Sequence, residues 1–266
     1  MRIFNLITLF IVCSAAGHAQ KLPNKQEASI WAPADIKIDG KADEWNNQFQ
    51  AYNSSVDLYY TIANNDSLLY LGIRAEKPRI ILKALSVGFC FTVYDNKNNF
   101  EAVSYPVISL KDGALITKNL GIKPADIIPH KVDVVEKFIP GKSDSLLAIV
   151  NNILQSKAAK IRWQEKGSPD TSIIENNADD IRFAARFDSE GHLVYELAIP
   201  LKLLNISISG TKKIKYNIKL LSRTEIYKTG IGISYSYNSA GEPYDTNQDL
   251  NSTTDFSGEY ILAKKP

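Results

Sequence analysis

The chain has 266 residues, of which 44% are hydrophobic and 10% aromatic, enough for a sizeable core and outside the composition of a disordered segment. Its 31 basic and 29 acidic side chains leave a formal net charge of +2, which gives no support for a nucleic-acid partner, whose binders carry a basic footprint. No run reaches the roughly 18 apolar residues of a membrane-crossing helix, so no integral membrane span is expected.

Arg2 precedes a run over residues 3–12 that is apolar except at Asn5 and Thr8, and Ser14-Ala15-Ala16-Gly17 comes next. Gly17-His18-Ala19 satisfies the small-x-small rule of signal-peptide cleavage. Residues 1–19 therefore read as an export signal, with Gln20 starting a periplasmic or extracellular chain. The competing lipoprotein reading puts a lipid on Cys13, but Val12 stands where that signal wants Gly, Ala or Ser. Cleavage leaves Cys90 as the one cysteine of residues 20–266, so no intramolecular disulfide is expected. Within Val87-Gly88-Phe89-Cys90-Phe91-Thr92-Val93-Tyr94 it reads as a small packing residue.

Short β-rich segments separated by Asn, Asp, Gly and Pro dominate the chain after residue 50. Residues 57–63 and 68–75 flank Asn64-Asn65-Asp66, a hairpin turn, and 78–85 reads as a short linking helix. Residues 87–94 and 102–108 flank the polar run 95–99, a second hairpin. Residues 180–187 and 192–199 flank Asp188-Ser189-Glu190-Gly191, a third. Further strands are expected over 213–222, 225–237 and 259–263. Hairpin-linked strands of this number point to an all-β class, an antiparallel β-sandwich, in one domain over 20–266.

Between about 109 and 178 the pattern changes to a partly helical insertion. Ser143-Asp144-Ser145 is suited to cap a helix, and Leu146, Leu147, Val150, Ile153 and Leu154 recur at helical spacing. The insertion holds too few apolar residues for a core of its own, so it reads as an excursion on one end of the sandwich.

Ile38-Asp39-Gly40-Lys41-Ala42-Asp43-Glu44-Trp45 resembles the opening of family 9 carbohydrate-binding modules and the wider DOMON-like sandwich group. Residues 67–74, the run Tyr195-Glu196-Leu197-Ala198-Ile199-Pro200-Leu201 with Leu204, and residues 254–262 resemble later strands of that group, in matching order. Residues 89–94 with Asp95, then Ser104-Tyr105-Pro106, also resemble uncharacterised secreted proteins common in Bacteroidetes. The resemblance implies a jelly-roll or DOMON-like sandwich that binds a glycan between aromatic rings without cleaving it, with structural calcium as an accompaniment. Within the opening motif, Asp39-Gly40 suits a tight turn, Asp43 a cap for the next turn, and Trp45 the core. Glu196 points away from Tyr195 and Leu197 and is expected to pair with a neighbouring Lys or Arg.

The sugar-stacking candidate is Trp163, in Lys160-Ile161-Arg162-Trp163-Gln164-Glu165-Lys166, with Arg162 and Glu165 as polar partners. Its alternative role is a hydrophobic plug holding the insertion to the sandwich. Tyr244, in Gly241-Glu242-Pro243-Tyr244-Asp245, stands where the family's late tryptophan would be, with Asp245 as a further polar neighbour. Asp245, Asn247 and Asp249 place oxygen side chains at positions 1, 3 and 5 of a calcium loop, whereas Leu250 and Phe256 depart from an EF-hand at positions 6 and 12. Nucleophile-elbow, zinc-protease, P-loop and dinucleotide motifs are missing, and His130 and His192 would both have to converge for a zinc or bis-histidine haem site. Asp66-Ser67-Leu68 and Asp144-Ser145-Leu146 resemble Bacteroidetes O-glycosylation sites. The expectation is a secreted, non-catalytic glycan-binding module of a bacterial envelope. The alternatives are a scaffold whose insertion docks an envelope protein through an exposed apolar patch, and a component of glycan degradation.

Overall fold

The computed structural model describes residues 21–46, 48–95, 99–106, 108–121, 144–168, 171–176, 180–209, 213–227, 235–237, 243–245 and 248–266. Two antiparallel sheets carry the fold. The first joins β1 (Ala51–Asn53), β2 (Leu58–Asn64), β3 (Leu68–Ala75), β9 (Leu193–Pro200) and β8 (Arg182–Phe187), in the spatial order β1-β2-β3-β9-β8. The second joins β4 (Phe89–Tyr94), β5 (Phe100–Tyr105), β6 (Lys160–Glu165), β7 (Ser172–Glu175), β10 (Lys213–Leu220) and β13 (Thr254–Ile261), in the order β13-β10-β4-β5-β6-β7. A separate two-stranded ribbon pairs β11 (Tyr235–Tyr237) with β12 (Pro243–Asp245).

The three expected hairpins form, and one local device closes each. Asn65 Oδ1 accepts from the N–H groups of Ser67 (2.9 Å) and Leu68 (2.8 Å). Asp95 Oδ1 accepts from Asn99 N–H (2.8 Å), and Asp188 Oδ1 from those of Glu190 (2.9 Å) and His192 (2.8 Å). A short carboxylate or amide that takes its own backbone's donors turns the chain without tertiary help. Along β8, Phe183, Ala185 and Phe187 are buried while Arg182, Ala184 and Arg186 are half-exposed, the period of two that one core face imposes.

One core lies between the sheets. Tyr195 of the first sheet stacks on Tyr105 (4.5 Å between ring centres) and on Phe89 (6.2 Å) of the second. The hydroxyls of Tyr60 and Tyr216 meet across the same gap at 2.9 Å. Gly258 lies under the Tyr216 phenol, and a Cβ there would come within 2.3 Å of its oxygen.

Helices connect and cover. The expected linker helix is α1 (Pro78–Val87) and the expected capped helix is α3 (Asp144–Lys157). Within the partly helical insertion, residues 110–119 form a further helix, α2 (Leu110–Asn119), whose N-cap Ser109 accepts from Asp112 N–H at 3.1 Å. Two sequence expectations need correction. The strand expected over 225–237 begins instead as α4 (Arg223–Tyr227), because Ser222 and Glu225 form a reciprocal cap: Ser222 N–H donates to Glu225 Oε2 (3.0 Å) and Glu225 N–H to Ser222 Oγ (3.3 Å). The second half of the insertion is no excursion, since β6 and β7 extend the second sheet beyond β5. Its helix α3 seals the free edge of β8: Asn151 Nδ2 donates to Phe187 O (3.0 Å) and Asn151 Oδ1 accepts from Phe187 N–H (2.7 Å). A last short helix, α5 (Gln248–Asn251), leads into β13. Among the described residues, no helix is long and apolar enough to cross a membrane.

Candidate functional site

The resemblance directs attention first to the opening motif, and the structure gives that motif a structural role. Residues 30–46 and 48–49 cover the outer face of the first sheet, where Ala32, Ala42, Trp45 and Phe49 pack on Ala63, Tyr70, Val194 and Ala198. Gly40 has φ +80°, and a Cβ there would lie 2.8 Å from the backbone carbon of Ala185, so the close approach to β8 requires glycine. Asp39 Oδ1 accepts from Lys41 N–H (3.0 Å) to close the turn, while the 3-10 turn Asp43–Trp45 has no side-chain cap, correcting the role expected of Asp43.

Glu196, 1% exposed on β9, holds this cover in place. Its Oε2 accepts from the N–H groups of Gly40 (2.9 Å) and Asp39 (3.1 Å), and its Oε1 from Trp45 Nε1 (3.2 Å). The expected Lys or Arg partner is replaced by three neutral donors from a segment over 150 positions away. Burial pushes this carboxyl up to about 8, against the downward pull of its three donors.

The sequence candidates separate in space. Within β6, alternation sends Ile161 and Trp163 into the core and leaves Arg162 half-buried on the opposite face. Trp163 is 6% exposed, so its ring offers no open plane to a sugar, and it donates to Glu101 on β5. Burial, then the nearby charge of Glu165, raises the Glu101 carboxyl to about 7. Arg162, flanked in register by Ser104 and Ile173, does not meet Trp163. Tyr244 and Asp245 pair with Ser236 and Tyr235 in the small ribbon; their side chains lie outside the described residues, as does Asn247. Asp249 faces cations, with its Oδ2 3.9 Å from Arg79 and its charge felt by Lys83. His192 Nδ1 lies 3.1 Å from Asp188 Oδ2, and His130 lies outside the described residues. Among the described residues, no group of three metal-ligating side chains converges. Cys90 is buried, as its apolar run implies, and burial raises its thiol.

Three clefts differ in chemistry. One of about 1060 Å³ has an apolar floor of Leu68, Pro200, Leu201 and Ile206, with no aromatic side chain among the described residues of its walls. A second, about 610 Å³, lies between residues 40–43, the β8–β9 turn and α3; its one aromatic, Phe187, is buried. The third, about 620 Å³, opens where β13, β10 and β4 run side by side, and Lys25, Tyr94, Lys215, Ser257 and Glu259 line it.

Strand register builds this third recess. Glu259 pairs with Lys215, Lys215 with Tyr94, and Tyr94 with Phe100, so four side chains stand in one rank on the outer face of the second sheet. Neighbouring strands lie about 4.8 Å apart, and in-register side chains on one face are in reach of each other. Tyr94 is half-buried against Phe100, their ring centres 6.1 Å apart. An aromatic face with charged and hydroxyl groups beside it suits a ring that is apolar on one side and hydroxylated at its edge. Among the described residues, no sequence candidate lines this recess. Its signal is alternation: Lys213-Ile214-Lys215-Tyr216-Asn217-Ile218-Lys219-Leu220 puts lysines and an asparagine on one face and apolar residues on the other.

The chain matches no protein-family model, and no curated protein is significantly similar to it.

Proposed function

We propose that the chain is an exported, non-catalytic glycan-binding module of a bacterial envelope, a DOMON-like sandwich akin to family 9 carbohydrate-binding modules. Export rests on the pattern of residues 1–19. The carrying observation is the recess of about 620 Å³ in which Tyr94 stands beside Lys25, Lys215, Ser257 and Glu259. Its volume lies within the range of about 300–1,000 Å³ typical of small-ligand sites. Glu259 is the one carboxylate among the described residues that line it, whereas glycoside hydrolysis works with two facing each other across the bond. That favours holding a sugar over cutting it.

Affinity electrophoresis of residues 20–266 through gels containing xylan, β-glucan, galactomannan, polygalacturonate or chondroitin sulfate tests this reading. At least one polymer retards the parent, and Tyr94→Ala removes the retardation with little change in melting temperature. Equal retardation of parent and Tyr94→Ala by every bound polymer, or no retardation at all, sinks it.

A docking scaffold is favoured by a separate observation. Leu115, Ile149 and Ile173, each between 45% and 52% exposed, all lie within residues 109–178. On that reading, changing all three to serine abolishes cross-links to an envelope protein in cells and leaves glycan retardation intact; unchanged cross-links count against it.

A further inference from the structure

The recess beside Tyr94 carries uncompensated positive charge. Glu259 Oε2 is engaged by Lys213 Nζ at 2.7 Å. The side-chain ammonium groups of Lys25 and Lys215 form no ion pair or hydrogen bond among the described residues, and Lys215 stands between Glu259 and Tyr94 in the rank. Three lysines against one carboxylate leave two positive charges at this spot, the formal net charge of the entire chain. The lysines act together on Glu259: its carboxyl is held below the ordinary range by the hydrogen bond and charge of Lys213, then by the charges of Lys215 and Lys25. Asp255, the next carboxylate along this face of β13, accepts from Asn217 Nδ2 at 2.7 Å and acts on Lys219. Ser257 lies between Asp255 and Glu259 on the same strand and adds a hydroxyl to the recess wall.

We infer that this recess selects acidic glycans, whose sugar rings bear a carboxylate or a sulfate ester, with Tyr94 under the ring and Lys25 and Lys215 on the anion. The inference rests on the proposed function and goes beyond it by naming the charge of the ligand. A neutral sugar leaves both ammonium groups to water, whereas an anionic one gains charge-assisted hydrogen bonds on a surface where whole-chain charge offers little general attraction.

The test compares residues 20–266, Lys25→Gln/Lys215→Gln and Tyr94→Ala in affinity gels at low and high salt. The probes are polygalacturonate, its carboxyl-reduced form, chondroitin sulfate, desulfated chondroitin and neutral galactomannan. The expected result is retention by at least one acidic polymer, weakened about tenfold by the double lysine change and by raised salt, and lost in Tyr94→Ala. Loss of retention on carboxyl reduction identifies the carboxylate as the recognised anion, and loss on desulfation identifies the sulfate. Retention by galactomannan that depends on Tyr94 but ignores salt and the lysines overturns the inference and leaves the proposed function standing. Retention that survives Tyr94→Ala removes the site itself, and with it both readings.

Discussion

The two sheets use their outer faces in opposite ways. On the first, residues 30–46 and 48–49 lie across the strands, and every residue of β9 is buried on both sides. On the second, Cys90, Ala102 and Leu221 are buried, with Ile226 of α4 packed against them, while Lys215, Ser257 and Glu259 on the neighbouring strands stand exposed. The face resembling a sugar-binding family in sequence is thus occupied by the chain's own N-terminal segment, and the face that leaves polar side chains exposed is the other one. A sequence signature can mark how a sandwich is closed without marking where it binds.

The largest test of this division falls inside β6, where adjacent residues belong to opposite sides. Trp163→Ala deletes a core indole and leaves Glu101 without its donor, at an expected cost of about 3–5 kcal/mol in urea denaturation. Arg162→Ala removes a half-buried side chain that makes no ion pair or hydrogen bond among the described residues, at an expected cost below about 1 kcal/mol. Equal costs would contradict the inward placement of the tryptophan.

Glu196 is the next point at which the comparison can be broken. Glu196→Ala strands the N–H groups of Asp39, Gly40 and Trp45 in a buried setting, for an expected loss of about 2–4 kcal/mol. The pH dependence sharpens this. With its folded-state carboxyl at about 8, above the ordinary 4.5, the folded chain holds a proton that the unfolded chain releases. The resulting stability is complete below about 4.5 and is lost as pH rises through about 8. Glu196→Gln, which keeps the shape and cannot ionise, therefore flattens this decline in urea midpoints between about pH 5 and 8. Parallel pH profiles for parent and variant would show that Glu196 is charged in the folded chain at neutral pH.

The sandwich is legible in the sequence wherever structure is decided locally. Asn65, Asp95 and Asp188 each turn the chain by binding donors within four residues, so the hairpins can be read from composition alone. The helices after Ser109 and Ser222 are equally local, since S-x-x-D and S-x-x-E precede them, but a strand reading of 225–237 passes over the second. Trp163 is misplaced by reading Ile161-Arg162-Trp163-Gln164-Glu165 as polar neighbours around an aromatic, when its alternation marks a strand with tryptophan on the core side. Glu196 cannot be paired from sequence, since its donors arrive from a segment over 150 residues earlier. The recess is illegible for the same reason: Lys25, Tyr94, Lys215 and Glu259 meet only through the pairing of β13, β10 and β4.

The smallest expected effect compares the two faces position by position. Lys215→Ser on the exposed rank leaves the core between the sheets untouched, and its cost in urea denaturation should stay within about 0.5 kcal/mol. Ala198→Ser, the gentlest polar change on the outer face of β9, puts a hydroxyl into a site 0% exposed beside Trp45 and Phe49, where it must find an acceptor or lose its hydrogen bond to water. That should cost about 1–3 kcal/mol. The order of these two costs depends only on what covers each face. A Lys215→Ser change as costly as Ala198→Ser would mean that the second sheet's outer rank is packed like the first sheet's outer face, and a packed rank has no room for a sugar.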